Sequence, residues 1–158
     1  MQLNSPLKLF VFDLDFTLWN AGNTWCDATN PPYFWKYNKL FAQSGRWIRL
    51  YPYVIEIMNL LKENSKFIAV ASRTYEPGGA QDLIHLLDIG KYFDLKEIYP
   101  TSKIQHFKNI HNHFGIAYSE MVFFDDEFRN IEEVGRLGVH AQFVKNGITL
   151  NMVLPFLK

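Results

Sequence analysis

One cysteine, Cys26, stands in the 158-residue chain. It can form no internal disulfide, which fits a reducing compartment. An excess of either charge is also missing: 16 Lys and Arg face 16 Asp and Glu. That balance argues against a general nucleic-acid or anionic-membrane surface. Long apolar runs are lacking too. The first run is cut by Asp13, and no basic segment leads into an unbroken apolar stretch, so no signal peptide is expected. No run is long enough to cross a bilayer. Internal repeats, low-complexity tracts and linkers are absent. The expectation is one soluble domain over residues 1–158, cytoplasmic and monomeric, with a sizeable core.

What is present is an alternation of short apolar runs with helical patterns. Leu9–Phe12 is continuously apolar, as a strand buried on both faces must be. Further strands are expected at 67–71, 96–99, 121–124 and 140–144. Helices are expected at 53–63, 77–87 with a stop at Gly90, 103–114 with a stop at Gly115, 127–137 and 150–157. Such an order predicts an α/β fold: a doubly wound, Rossmann-like parallel sheet with helices on both faces. Residues 19–51 break the rhythm. They are rich in Trp, Tyr and Phe and are interrupted by Pro31-Pro32 and Ser44-Gly45. The segment reads as irregular, either a flap or small lid over a site or an aromatic-stapled surface loop.

Polar residues follow the strands directly: Asp13 and Asp15 after the first, Ser72 and Arg73 after the second, Asp125 and Asp126 after the fourth. Lys103 lies just past the third. Parallel strands place these ends on one edge of the sheet, where ligands of such folds bind. Two adjacent like charges call for a cation, a shared proton or a positive substrate, and magnesium suits an all-oxygen donor set. Phosphoryl transfer needs such a collection. A carboxylate can be the nucleophile, a second can move the proton, and cations and a hydroxyl can hold phosphate oxygens.

The order D-x-D-x-T, Ser, Lys, Asp-Asp resembles the haloacid dehalogenase (HAD) superfamily. DLDFTLW, ASRT, EIYP-T-SK and FFDDE-x-RNI resemble its magnesium-dependent phosphatase-1 family, over nearly the whole chain from Leu7 to Leu150 apart from the aromatic segment. The resemblance implies a magnesium-dependent phosphatase with no large cap domain. In it Asp13 is nucleophile and metal ligand, and Asp15 is general acid/base and binds metal through its backbone carbonyl. Asp126 is the acidic metal ligand, ranked over its neighbour Asp125. Asp125 and Thr17 stand behind the direct ligands. Ser72, Arg73 and Lys103 hold the phosphate with the backbone at Leu14 and Asp15. The implied substrates are phosphoproteins of phosphotyrosine type or small sugar phosphates.

Two other classes use similar residues. A receiver-type signalling module keeps its phosphate, but it has the acidic pair after the first strand and the lysine after the last, an order not found here. A phosphotransferase or phosphate-binding module would share the site residues. A zinc site is not expected: His111 and His113 are two apart on a predicted helix and share no face.

Overall fold

Leu9–Phe12 forms strand β1, and all four side chains are buried. Successive side chains of a strand point to opposite faces, so β1 needs a cover on each side. A computed structural model, describing residues 6–157, supplies both. After β1 come four short strands, β2 (Trp19–Ala21), β3 (Phe34–Lys36), β4 (Lys39–Phe41) and β5 (Trp47–Leu50). Then follow helix α1 (Val54–Glu63), β6 (Phe67–Ser72), α2 (Pro77–Leu86), β7 (Leu95–Ile98) and α3 (Lys103–Phe114). The chain closes with β8 (Met121–Asp125), α4 (Phe128–Gly135), β9 (His140–Phe143) and α5 (Leu150–Val153).

The central sheet runs β7-β6-β1-β8-β9, with every neighbouring pair parallel. Phe10, Phe12, Ile68, Val70, Val122 and Phe124 point to one face, where α1, α2 and α5 bring Ile57, Leu61, Leu83 and Val153. Leu9, Val11, Ala69, Ala71 and Phe123 point to the other, against Phe107 and Ile110 of α3 and Val134 of α4. The expected doubly wound α/β architecture is therefore the observed one. Because β6 and β8 flank β1, the chain's direction of winding changes at β1, which opens a crevice at its carboxyl end.

Local chemistry sets the element ends. Ser102 caps α3, its hydroxyl accepting from the Ile104 N–H, and Gly115 ends it at φ 67°, a left-handed value that glycine adopts without steric cost. The stop expected at Gly90 lies earlier. Helix α2 ends at Leu86, Asp88 takes the left-handed conformation (φ 57°), and Gly90 begins a 3-10 turn. The final helix is shorter than expected: it gives way to a 3-10 turn at Leu154–Phe156, where Pro155 has no N–H to donate.

The largest departure from expectation is residues 19–51. They are not irregular but form a second, antiparallel sheet in the order β2-β5-β4-β3. Tyr37 and Asn38, at φ 52° and 63°, make a two-residue turn between β3 and β4, the twist-compatible hairpin geometry. Trp19, Ala21, Leu40 and Ile48 are buried in the same core as α1 and α2. The sheet is thus fused to the domain, and a 3-10 turn at Cys26–Ala28 is the part that reaches the crevice.

Candidate active site

Asp13 is the first residue past β1. Its N–H donates to the Phe124 carbonyl at 3.0 Å, which carries the ladder one step beyond the strand. The chain then turns sharply. The Leu14 carbonyl accepts from the Thr17 and Leu18 N–H groups at 3.1 and 2.8 Å, and Phe16 takes φ 62°. This turn sets Asp13 and Asp15 side by side at the crevice, 9% and 8% exposed. Among the hydrogen bonds of the described residues, none is donated by the backbone N–H of Leu14 or Asp15. Two consecutive free donors in a turn make an anion-binding concavity.

Lys103, the first residue of α3, is 1% exposed. Its Nζ donates to Asp13 Oδ1 at 2.8 Å and to Asp125 Oδ2 at 2.6 Å. Burial alone would lower this ammonium, but the Asp125 and Asp13 charges outweigh it and the net shift is upward. Asp125, at the end of β8, is fully buried. It also accepts from Asn130 Nδ2 at 3.0 Å and from the Glu127 N–H at 2.9 Å. Its neighbour Asp126 faces the crevice.

Carboxylate oxygens of Asp13, Asp125 and Asp126 lie within 4.8 Å of one another. One ammonium does not neutralise three carboxylates. Burial, then the Asp125 charge, pushes Asp13 well up despite Lys103. Burial also lifts Asp126 to about 6. An all-oxygen, net-negative cluster is what a hard divalent cation such as magnesium takes. The donor set fits that ion.

Asp15 is held from the second sheet. Its Oδ1 accepts from Trp19 Nε1 at 2.7 Å and from the Cys26 N–H at 3.0 Å. Burial raises its pKa to about 6, and those two donors oppose the rise. A carboxyl so poised can both give and take a proton near neutrality. Burial pushes the Cys26 thiol up, so it stays protonated.

The remaining residues singled out in the sequence are here too. Ser72 ends β6 and lines the crevice, its hydroxyl accepting from the Thr74 N–H at 3.3 Å. Arg73 lines it as well and donates to Asn130 Oδ1 at 3.0 Å. Thr17 reaches Asp13 Oδ2 at 3.4 Å. The structure thus gathers Asp13, Asp15, Ser72, Arg73, Lys103, Asp125 and Asp126 around one crevice of about 220 Å³. Sequence reasoning missed Asp27 and Tyr75 at its mouth, where Trp25 of the aromatic segment also lies, and missed the grip of Trp19 and Cys26 on Asp15. Nothing in a linear pattern marks a backbone N–H eleven residues away as a partner of a carboxylate.

Comparison with known proteins gives the family and the fold. A sequence model of the family described as Acid Phosphatase matches residues 5–157. Magnesium-dependent phosphatase 1 of Homo sapiens is 44% identical over 145 residues, covering 90% of this chain and 81% of that protein. A HAD-like hydrolase superfamily protein of Schizosaccharomyces pombe is 37% identical, covering 96% and 92%. In structure, a HAD family enzyme from Bacteroides thetaiotaomicron, solved as a magnesium complex, superposes with a TM-score of 0.67 at 14% identity, covering 95% of this chain and 99% of that one.

Proposed function

This chain belongs to the acid phosphatase family, and on that premise we propose that it hydrolyses phosphate monoesters through an aspartyl-phosphate formed on Asp13. It is a hydrolase of the HAD type, with magnesium as cofactor. The observation that carries the proposal is the pairing at the crevice floor. Asp13 is fixed by Lys103 and Thr17, and Asp15, two residues on, has one oxygen capped by two N–H donors.

The family resemblance assigns the roles. Asp13, Asp126 and the Asp15 backbone carbonyl would hold the metal, with Asp125 and Thr17 behind them. When bound, magnesium neutralises the carboxylates and draws charge from the phosphate oxygens. Lys103, Ser72, Arg73 and the free N–H groups at Leu14 and Asp15 hold the phosphate against Asp13. An Asp13 carboxylate oxygen attacks phosphorus, and the ester P–O bond breaks. Protonated Asp15 gives its proton to the leaving oxygen. Asp15, now ionised, takes a proton from water as that water attacks phosphorus. The Asp13–phosphorus bond breaks and phosphate leaves. The presence of Asp15 favours hydrolysis over a receiver-type module that stores its phosphate.

The leaving group sits at a mouth formed by Trp25 and Tyr75, which are 53% and 79% exposed. Aromatic rings there suit a phosphotyrosine ring or a sugar. The test is phosphate release from an aryl phosphate, with magnesium or with chelator, by native protein and by Asp13→Ala. Magnesium-dependent turnover abolished in Asp13→Ala supports the reading. Undiminished turnover by that variant sinks the Asp13 mechanism. Phosphotyrosine peptides and sugar phosphates are then compared by kcat/KM.

A further inference from the structure

The second sheet carries a surface unlike the rest of this electrically balanced chain. Between Asp27 and Glu56 there is no acidic residue, yet Lys36, Lys39, Arg46 and Arg49 all fall there. None of the four is in a salt bridge among the described residues. The fold gathers three of these charges and sets Arg46 apart, its Nη1 donating to the Gly22 carbonyl at 2.6 Å. Lys36 and Lys39 are directly opposed across the β3–β4 hairpin, where like charges destabilise a ladder. The β4–β5 ladder stops at Leu40↔Ile48, so Lys39 and Arg49 lie just past its last pair. Both lie over the Trp47 ring, at 4.5 and 4.3 Å from its centroid.

A groove of about 260 Å³ opens at that point. Trp35, Trp47 and Leu87 give it apolar lining, and Lys39 and Arg49 give it charge. Trp35 is 52% exposed although it is on the same sheet face as buried Leu40 and Ile48.

We propose that this groove docks an extended acidic segment of a partner protein, its carboxylates on Lys39 and Arg49 and its apolar side chains against Trp35 and Leu87. Charge complementarity carries the choice of occupant: cations in no salt bridge recruit anions and set register. Alternating acidic and apolar residues match a groove that offers both. Single-stranded nucleic acid, which would stack bases on exposed rings such as Trp35, is the competing occupant that the test separates. The proposal stands apart from the phosphatase chemistry, since none of these side chains lines the crevice.

The test is fluorescence anisotropy of a labelled peptide alternating glutamate and leucine, titrated with the whole protein. Controls are the same peptide with lysine for glutamate, a single-stranded oligonucleotide, and vesicles of phosphatidylcholine with phosphatidylserine. Saturable binding of the acidic peptide that weakens with salt is expected, with about a tenfold or greater loss in K39E/R49E. Arg49 is half-buried, so K36E/K39E, both exposed on the hairpin, is the second variant. Aryl-phosphate turnover by each variant reports that the domain is folded. No saturable binding, equal binding by both variants, or preference for the oligonucleotide or vesicles overturns the proposal.

Discussion

Trp19 Nε1 donates to Asp15 Oδ1 at 2.7 Å, and the same oxygen also accepts the Cys26 N–H. A carboxyl oxygen engaged by two donors does not carry the acidic proton, so Oδ2 is the oxygen that exchanges it. Trp19→Phe keeps a buried ring but removes the donor. The expected result is a kcat lowered between about tenfold and about a hundredfold, because the acid loses its orientation, with KM little changed. Steady-state kinetics on an aryl phosphate, beside a thermal melt, separates this from simple loss of stability.

In the proposed mechanism the two carboxylates of the acidic pair divide the work between folding and metal. Asp126→Asn is expected to weaken the apparent magnesium affinity by at least about tenfold with little change in unfolding free energy. Asp125→Asn is expected to lower stability by about 1–3 kcal/mol, since Lys103, Asn130 and the Glu127 N–H all depend on it. Magnesium titration of activity and urea unfolding of both variants check the pair. Equal effects on both readouts would refute the division.

Lys103 is the single ammonium between two buried carboxylates. Lys103→Met leaves both uncompensated, and a loss of about 3–5 kcal/mol is expected near neutrality. The loss should shrink in acid, where the carboxylates can protonate. Urea midpoints at several pH values report it.

Metal-free protein should gain stability on acidification. Asp15 and Asp126 have folded-state pKa values pushed up to about 6 by burial, above the ordinary carboxylate range near 4. The folded state therefore keeps protons that the unfolded chain has released. The stabilisation is fully present below about pH 4 and is lost as pH rises through about 6. Calorimetry in chelator should show a higher Tm at about pH 5 than at about pH 7.5. Magnesium should narrow the gap, because it favours the ionised form of Asp126, the one of the two carboxyls proposed as a metal ligand. A Tm in chelator that rises from pH 5 to 7.5 would be the contrary result.

Much of this architecture could be read from the residues. Leu9–Phe12 with its two following carboxylates marks the central strand and the site edge, and Gly115 marks the end of α3, whereas the Ser102 cap at its start is seen only in the structure. The legible signals are local: a solid apolar run and a left-handed glycine. The second sheet was opaque for the opposite reason. Its strands are three or four residues long, too short for alternation to register, and β3 is exposed at every position. Lys103 looked like an ordinary solvated helix residue apart from its place in the motif order. Its burial is decided by Asp13 and Asp125, which only the folded sheet brings to it. Asn130, whose partners no sequence pattern singles out, ties Arg73 to Asp125 in the structure.

The placement of β1 between β6 and β8 also governs how activity is acquired during folding. Leu9 lies opposite Phe67 on one side and Met121 on the other, partners far along the chain. Contacts of that separation form slowly, because long loops must close first. Asp13, Ser72 and Asp125 each sit at the end of a different one of these three strands. No early, locally folded fragment can bring them together, so turnover should return on refolding with the last kinetic phase and never ahead of it.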